Sequence, residues 1–421
     1  MESARSLARH LADAATRWPR ALAIRTLEHR WTFGEWLAEV SALAAGIEAS
    51  RHPLIVSGSS LDLARHAFAC SARKRPFQPV NRNAPIRCGS PLPHGVTLVV
   101  ATSGSAGEPR GVMLNDANLD AAAAAANRHL PLLPGDLWLD CLPLHHIGGL
   151  SILWRCARAG AGVLLHEGFA AEAVAASLAQ PAVTHLSLVP AMLARLLDAG
   201  VRPPAGLRHV VVGGAALTQA LHDRAGAAGW PLNPSYGMSE TAAQIATWTP
   251  ADGPWREGLA GRPLGANEFA LAGDGRIRIR GPQVMAGYVD GGGVAGDGWL
   301  TTGDLGEIDA SGRLTVTGRA DDMLISGGCN VHPLTVESCL AGCPGIRDVA
   351  VTGLPDAVWG DRIVALVVGD AAPERIDDWC RERMPAAARP RRIVRLASLP
   401  RNATGKLERA ALRELALDAR E

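Results

Sequence analysis

Lysine is nearly absent from this chain, with two residues, Lys74 and Lys406, against 40 arginines. Lys406 stands in "PRNATGKLER" (400–409), between a glycine and a leucine, with arginines a few residues to either side. An ammonium on a flexible stem can reach oxygens of two different groups, whereas a guanidinium is a bulkier, fixed fork. An exposed lysine near a chain end fits the same ten residues. A second stretch, "TLVVATSGSAGEPRGVML" (97–114), carries an apolar run into Thr102, Ser103, Gly104, Ser105, Ala106, Gly107 and on to Arg110. Closely spaced glycines let backbone N–H groups approach an anion. The three hydroxyls and Arg110 add donors and charge, so a polyphosphate suits the loop. A hairpin connection has the same composition. The loop is not a Walker A sequence. No G-x-x-x-x-G-K-[ST] occurs, and Gly405-Lys406 is followed by Leu407, with Pro400 where the first glycine belongs.

Carboxylates follow in "YGMSETAAQ" (236–244), "GWLTTGDLGEID" (298–309) and "TGRADDMLISGGCNVHPLTVE" (317–337). Each also has an ordinary reading. The first is a loop joining two elements, and Arg319 with Asp321 and Asp322 is a solvated surface cluster. "VVVGGAAL" (210–217) reads equally as a glycine stop after a buried strand. "LPLHHIGGLSILWRC" (142–156) sets His145 beside His146, but two histidines without further ligands at sensible spacing do not make a metal site. Eight cysteines (70, 88, 141, 156, 329, 339, 343, 380) are scattered with no C-x-x-C pair. Reduced thiols in a cytoplasmic enzyme are the expectation.

Holding these residues together requires a framework, and the 421 residues suffice for two or three domains. Apolar runs "LIVSGS" (54–59), "VTLVVAT" (96–102), "AGVLLHE" (161–167), "VTHLSLVP" (183–190) and "LRHVVVGGAA" (207–216) end at small or polar residues. Helix-compatible segments such as "NLDAAAAAANRHL" and "PAMLARLLDAG" lie between them. That alternation predicts stacked α/β layers with largely parallel sheets. Across 251–318 the pattern turns to "GRIRIRG" and "GRLTVTG", exposed alternating strands that predict an antiparallel, barrel-like section. Mixed α and β then returns for about 100 residues, a small C-terminal α+β domain. The expected division is 1–318 and 319–421. With 20% charged residues and a formal net charge of +1, nothing electrostatic favours nucleic acid or an anionic membrane. No apolar stretch is long enough to suggest a membrane span.

The loop at 102–111 resembles the phosphate loop T-S-G-[ST]-T-G-x-P-K-G of the acyl-adenylate-forming enzymes, which include acyl- and aryl-CoA synthetases, adenylation domains and luciferases. Ala106 replaces a threonine and Arg110 a lysine. "YGMSET", "VVVGGAAL", "VMAGY" (284–288), "GWLTTGDLGEID", "TGRADD" and "PRNATGK" match further segments of that family. The resemblance implies substrates ATP, a small carboxylic acid and CoA, with Mg²⁺ as the metal. It implies that Thr102, Ser103, Gly104, Ser105, Gly107, Arg110, Gly214, Ala215, Tyr236, Gly237, Ser239, Asp304 and Arg319 bind the nucleotide. Tyr236 would lie along adenine, Ser239 would touch the α-phosphate, Glu240 would hold Mg²⁺ and Asp304 would bind the ribose hydroxyls. Lys406 would contact the reacting carboxylate and the α-phosphate. Asp321 would be the hinge of a mobile small domain, and Ser326, Gly327 and Gly328 would line a pantetheine channel. His146, Ser187, Gly213, Gly237, Met238 and Gln244 would border the acid, with His146 gating the pocket or positioning the carboxylate. No cysteine has a covalent role, and Cys329 reads as a pocket or tunnel wall.

Within the family, "THLSLVPAMLARLL" (184–197), the short N-terminal region and "SGGCNVHP" look most like the o-succinylbenzoate–CoA ligases of menaquinone biosynthesis. Other readings stay open: another aryl- or acyl-CoA ligase, a stand-alone enzyme loading a carrier protein, or a non-catalytic nucleotide-binding protein. A homodimer is also left open. If Lys406 serves only the first half-reaction, Lys406→Ala should abolish most acid-dependent ATP–pyrophosphate exchange. Thioester formation from supplied acyl-AMP should stay near wild type, and equal losses in both assays would refute that role.

Overall fold

The computed structural model describes residues 4–81, 91–102, 110–180, 182–401 and 407–419. Among them, eight strands form one sheet in the order Ala243–Thr247, Leu232–Met238, His209–Val212, His185–Leu188, Leu137–Asp140, Gly162–Leu165, Leu22–Arg25, Arg30–Thr32. The strands between the two ends run parallel, and the outermost pair at each end is antiparallel. Nearly continuous apolar runs such as Val210-Val211-Val212 belong where helices cover both faces of a parallel sheet. A second sheet has the order Gly287–Tyr288, Gly111–Asn115, Val96–Ala101, Phe77–Pro79, Leu54–Val56. The phosphate-loop sequence therefore joins two antiparallel neighbours, Val96–Ala101 and Gly111–Asn115. At the far side of Gly111–Asn115, the short strand Gly287–Tyr288 pairs with Met113 and Val112.

Helices begin where polar side chains can take the first free N–H groups. Asn115 closes its strand and caps Asp116–His129, exchanging hydrogen bonds with Asn118 in a capping box. Thr32 with Glu35 and Ser59 with Asp62 do the same for Phe33–Ala45 and Ser60–Ala72. Asn118 has a second task. Its Nδ2 donates to the carbonyls of Pro282 and Val284 at 2.9 and 2.8 Å, fastening this helix to the segment that leads into Gly287–Tyr288.

The region from Leu259 to Arg319 forms a five-stranded antiparallel sheet ordered Leu259–Gly261, Leu314–Arg319, Leu300–Ile308, Arg276–Arg280, Glu268–Leu271. A last sheet, built on the long hairpin Ile346–Asp356 and Gly360–Gly369, carries the hairpin Leu324–Ser326/Cys329–Val331 at its edge. Its two faces pack separate cores, around Val336, Leu340 and Ile376 on one side and Leu354, Leu366 and Leu412 on the other. The chain is thus a mixed α/β protein with a large N-terminal and a smaller C-terminal domain. Contacts between them include the Ser338 hydroxyl, which donates to Glu257, a carboxylate that also accepts from Gln219 N–H.

In the smaller domain, one buried carboxylate fixes the helix that follows residue 406. Glu337 accepts the Val351 N–H at 2.8 Å and the Arg409 guanidinium at 2.5 Å. Arg409, the first residue of helix Arg409–Asp418, also lies 3.6 Å from Asp322. Removing one partner strands the other charge at a low-dielectric position. Glu337→Ala should therefore cost the smaller domain about 3 kcal/mol. Denaturant unfolding would show this as an earlier transition for that domain, with the larger one unmoved.

Candidate active site

Two tyrosines are present in the whole chain, and each donates its hydroxyl to one of the carboxylates singled out in the sequence. Tyr236 Oη lies 2.8 Å from Asp304 Oδ2, and Tyr288 Oη lies 2.8 Å from Glu240 Oε1. Burial, followed by the neighbouring carboxylate, raises both phenols above their ordinary pKa, so both remain donors.

The first corner is made by a strand pair. Asp304 and Arg319 are register partners on antiparallel neighbours. Arg319 Nη1 reaches Asp304 Oδ1 at 3.2 Å, while its Nη2 reaches Asp321 Oδ2 at 3.0 Å. Burial opposes the charge on Arg319, and Asp304, then Asp321, more than restore it. Of the residues that also read as a solvated surface cluster, Arg319 and Asp321 join Asp304 and the Tyr236 phenol in one network, while Asp322 lies beside Arg409. The network's carboxylate oxygens suit a diol, which needs two acceptors.

The second corner sits four residues further along the same segment. Leu232–Met238 runs through Tyr236 and Gly237, turns in a single 3₁₀ turn at Ser239–Thr241 and returns as Ala243–Thr247. At the crossover the register shifts between Tyr236 and Gly237. A Cβ at Gly237 would stand 2.0 Å from the Ala243 carbonyl oxygen, so the two strands close only over glycine. Ala242 and Ala243 both take left-handed backbone angles, φ +52° and +85°. Such angles cost about 1–3 kcal/mol per non-glycine residue and persist only where the surroundings impose them. Here Gln283, fully buried, donates through Nε2 to the carbonyls of Thr241 and Gln244 at 3.2 and 2.8 Å. Thr241 Oγ1 donates to Ala243 O at 3.0 Å.

Arg110 meets this turn from the phosphate-loop side. Its N–H donates to Thr102 Oγ1 at 3.1 Å, and its carbonyl accepts Thr102 N–H at 2.9 Å. These two residues close the mouth of the loop sequence; Ser103, Gly104, Ser105 and Gly107 lie outside the described residues, as does Lys406. The Arg110 guanidinium lies over the Tyr288 ring, 3.6 Å from its centroid, and forks onto Asp290. The fork is arginine-specific, so a lysine here would forfeit it and keep at most a point-charge contact with the ring. Neither Tyr288 nor Asp290 was given a role from the sequence. The signal lay in "VMAGY", but their partners are 48 and 180 positions away.

Among the residues expected to border the acid, Ser187 and Gln244 are buried. Gly213 and Gly214 follow strand His209–Val212, and Gly213 N–H reaches Leu188 O at 3.2 Å, which sets the turn carrying Ala215 beside strand His185–Leu188. Ser187 in that strand is buried and accepts the Trp138 indole N–H at 3.2 Å. Gln244 is buried as well, donating to Thr247. Arg155, also buried, stands 5.4 Å from the Trp138 ring and is a cation that the sequence reading missed. Met238 and Ser239 complete the strand end and the turn. His146 occupies the cap position of helix Ile147–Ala159, with its ring 4.3 Å from that of His145.

Ser326, Gly327 and Gly328 lie apart from these corners, at the tip of the small domain's edge hairpin. Gly327 N–H reaches the Trp359 carbonyl at 2.8 Å. Residues 402–406 are bracketed by a β-bridge between Arg401 and Leu407. Arg401 donates through Nη2 to both Asp348 carboxylate oxygens and helps to line a cavity of about 540 Å³ with Ser60, Asn81, His145, Glu167 and Met192.

The turn offers a divalent cation one carboxylate ligand at most. Mg²⁺ takes one or two carboxylates and fills its shell with phosphate oxygens and water. Glu240 could provide one such carboxylate, and the described residues hold no cluster of three or more His, Cys, Asp or Glu arranged for a metal. The seven described cysteines are unpaired, and Cys329 is exposed at the hairpin tip.

Burial pulls His146 down to about 4, helped by His145, and pulls His185 down to about 3, helped by His209. Unfolded histidines titrate near 6.5. Between about 6.5 and 4 the unfolded chain therefore binds more protons, and these groups make stability fall as pH drops. His146→Asn should flatten the pH dependence of the urea midpoint across that window. An unchanged slope would mean that His146 is not held neutral.

The family described as "AMP-binding enzyme" matches residues 72–289, and the "AMP-binding enzyme C-terminal domain" matches 335–406. The 2-succinylbenzoate–CoA ligase of Bacillus licheniformis is 36% identical over 329 residues, 75% of this chain and 69% of that protein. That of Bacillus subtilis is 36% identical over 328 residues, 74% and 68% of the two chains. The solved Bacillus subtilis o-succinylbenzoate CoA synthetase, in complex with its acyl-adenylate intermediate, superposes with a TM-score of 0.86 at 28% identity, covering 99% of each chain. Its complex with ATP and magnesium ion gives 0.85, again at 28% identity, covering 96% of this chain and 99% of that one. No helix among the described residues is long and apolar enough to cross a membrane. This chain belongs to the AMP-binding enzymes.

Proposed function

We propose that this protein joins a carboxylic acid to AMP with ATP and then transfers the acyl group to CoA, and that the acid is 2-succinylbenzoate. The observation that carries the reading is a pair of tyrosine-held carboxylates, Asp304 on strand Leu300–Ile308 and Glu240 in the turn Ser239–Thr241, joined through the segment that carries both Tyr236 and Glu240. A nucleoside triphosphate needs both: acceptors for a ribose at one end and a counter-charge for phosphates at the other.

In the first step a carboxylate oxygen bonds to the α-phosphorus and the bond to pyrophosphate breaks. Two anions have to meet, so preorganised positive groups matter most. Arg110, the loop amides at Ser103, Gly104, Ser105 and Gly107, and Lys406 would offset that repulsion. Tyr236 and Gly237 would face the base, Gly214 and Ala215 its other edge, Ser239 the α-phosphate, and Asp304 with Arg319 the ribose. Glu240 would hold Mg²⁺, which when bound supplies charge neutralisation to the departing pyrophosphate. In the second step the CoA thiol, losing its proton, bonds to the acyl carbon and AMP leaves. No protein nucleophile is required. Ser326, Gly327 and Gly328 would line the thiol's approach once the segment 319–421 has turned about Asp321, with 1–318 holding the acyl-adenylate.

The choice of acid is supported by relatives that carry the same substrate in their names and by Arg155. 2-Succinylbenzoate is a dicarboxylate; one group is activated and the other keeps its charge. Arg155, buried against the Trp138 ring whose N–H reaches Ser187 and near buried Asp140, would supply a positive charge for the second carboxylate, and His146, Gly213, Met238 and Gln244 would complete the wall. A cytoplasmic location is proposed from the unpaired thiols. The test is a panel of aromatic and aliphatic acids with ATP, Mg²⁺ and CoA, scored for AMP and thioester. 2-Succinylbenzoate should give the highest kcat/KM, at least about tenfold over benzoate, since losing a buried ion pair costs more than 1.4 kcal/mol. Turnover of benzoate-type acids alone would overturn the substrate and leave the ligase. Acyl transfer only to a phosphopantetheinyl carrier would overturn CoA.

A further inference from the structure

Glu240 is gripped twice by the segment that follows Gln283. Met285 N–H donates to the Glu240 carbonyl at 2.9 Å, and Tyr288 Oη donates to its side chain at 2.8 Å. The same segment is stitched to the strand leaving the phosphate loop, through Ala286 N–H to Met113 O and Val289 N–H to Gly111 O, at 2.9 and 2.8 Å. Tyr288 therefore occupies a point fixed from both sides. One face of its ring carries the Arg110 guanidinium, and its hydroxyl end carries the Glu240 carboxylate. A guanidinium this near a carboxylate would otherwise pair with it in a bidentate fork. Instead Arg110 spends its fork on Asp290 at 2.8–3.2 Å and its face on the phenol ring.

We propose that Tyr288 is a positioning residue for the cation carboxylate: it orients Glu240 through one oxygen and keeps Arg110 from neutralising it, leaving the rest of the carboxylate for a divalent cation. This rests on Glu240 being the cation ligand in the reaction above. A hydroxyl donor to a ligating carboxylate fixes its orientation, and loss of such partners weakens metal binding by about tenfold or more. Phenylalanine keeps the ring under Arg110 and removes only the hydroxyl, so it isolates the orienting bond.

The full-length protein is titrated with Mn²⁺, followed by electron paramagnetic resonance, in the presence of a non-hydrolysable ATP analogue. Tyr288→Phe should raise the Mn²⁺ Kd about tenfold and leave metal-free binding of the analogue unchanged. High Mg²⁺ should then restore most of its ATP–pyrophosphate exchange, a KM effect rather than a kcat effect. If Tyr288→Phe binds Mn²⁺ like wild type while Glu240→Gln is weakened, the role of Tyr288 is overturned and that of Glu240 stands. If neither substitution weakens Mn²⁺ binding, the cation assignment itself falls. If Tyr288→Phe loses metal-free nucleotide binding in step with Mn²⁺ binding, the phenol is merely structural and the proposal is overturned. Should phenylalanine fail to give folded protein, Tyr288→Met is read by the same titrations.

Discussion

The side-chain amide of Gln283 is the contact on which the site's shape depends. It lies out of reach of solvent, where an amide without partners would cost several kcal/mol. Its Nε2 spans the carbonyls of Thr241 and Gln244, on either side of the two left-handed alanines, while its Oε1 accepts from Asn267 Nδ2 at 2.8 Å. The turn bearing Glu240 is strained, and this amide is what makes the strained arrangement the satisfied one. One residue away, Pro282 and Val284 are tied to Asn118, at the start of the helix that follows the phosphate-loop strands. Helix Asp116–His129, the acidic turn and the start of strand Glu268–Leu271 thus share one buried polar junction.

That junction explains why elements far apart in sequence stay in register. A wholly apolar junction could slide by small amounts at little cost. Directional bonds buried without water cannot, because each displaced donor would lose its partner with nothing to replace it. The smaller domain is held differently. Its reach toward the larger one passes through single contacts such as Ser338 with Glu257, and contacts of that kind can be exchanged without unfolding either core.

Much of the framework was legible in the sequence. Apolar runs ending in small residues gave the parallel strands Gly162–Leu165, His185–Leu188 and His209–Val212 close to their bounds, since their short length, β-branched content and flanking small residues favour strand over buried helix. "GRIRIRG" and "GRLTVTG" gave two strands of the antiparallel sheet for a similar reason. Segment 236–244 was harder. Its residues admit a loop, yet it forms a strand, a tight turn and a returning strand. What decides between them is the Gln283 amide, some 40 positions away in sequence. In the site, Asp304 and Arg319 are cross-strand partners, which a reading of motifs in order can place side by side. Tyr288 and Arg155 escaped although both lie in stretches singled out above, because their contacts, with Glu240 and Arg110 for one and the Trp138 ring for the other, join distant parts of the sequence.

The chain's economy in tyrosine has a practical side. With eleven tryptophans but only two phenols, a tyrosine-specific isotope label would yield a pair of signals, one from the Asp304 corner and one from the acidic turn. No phenol elsewhere contributes background. The protein carries two resident spectroscopic reporters, each already wired by a hydrogen bond to the carboxylate whose occupancy it would announce.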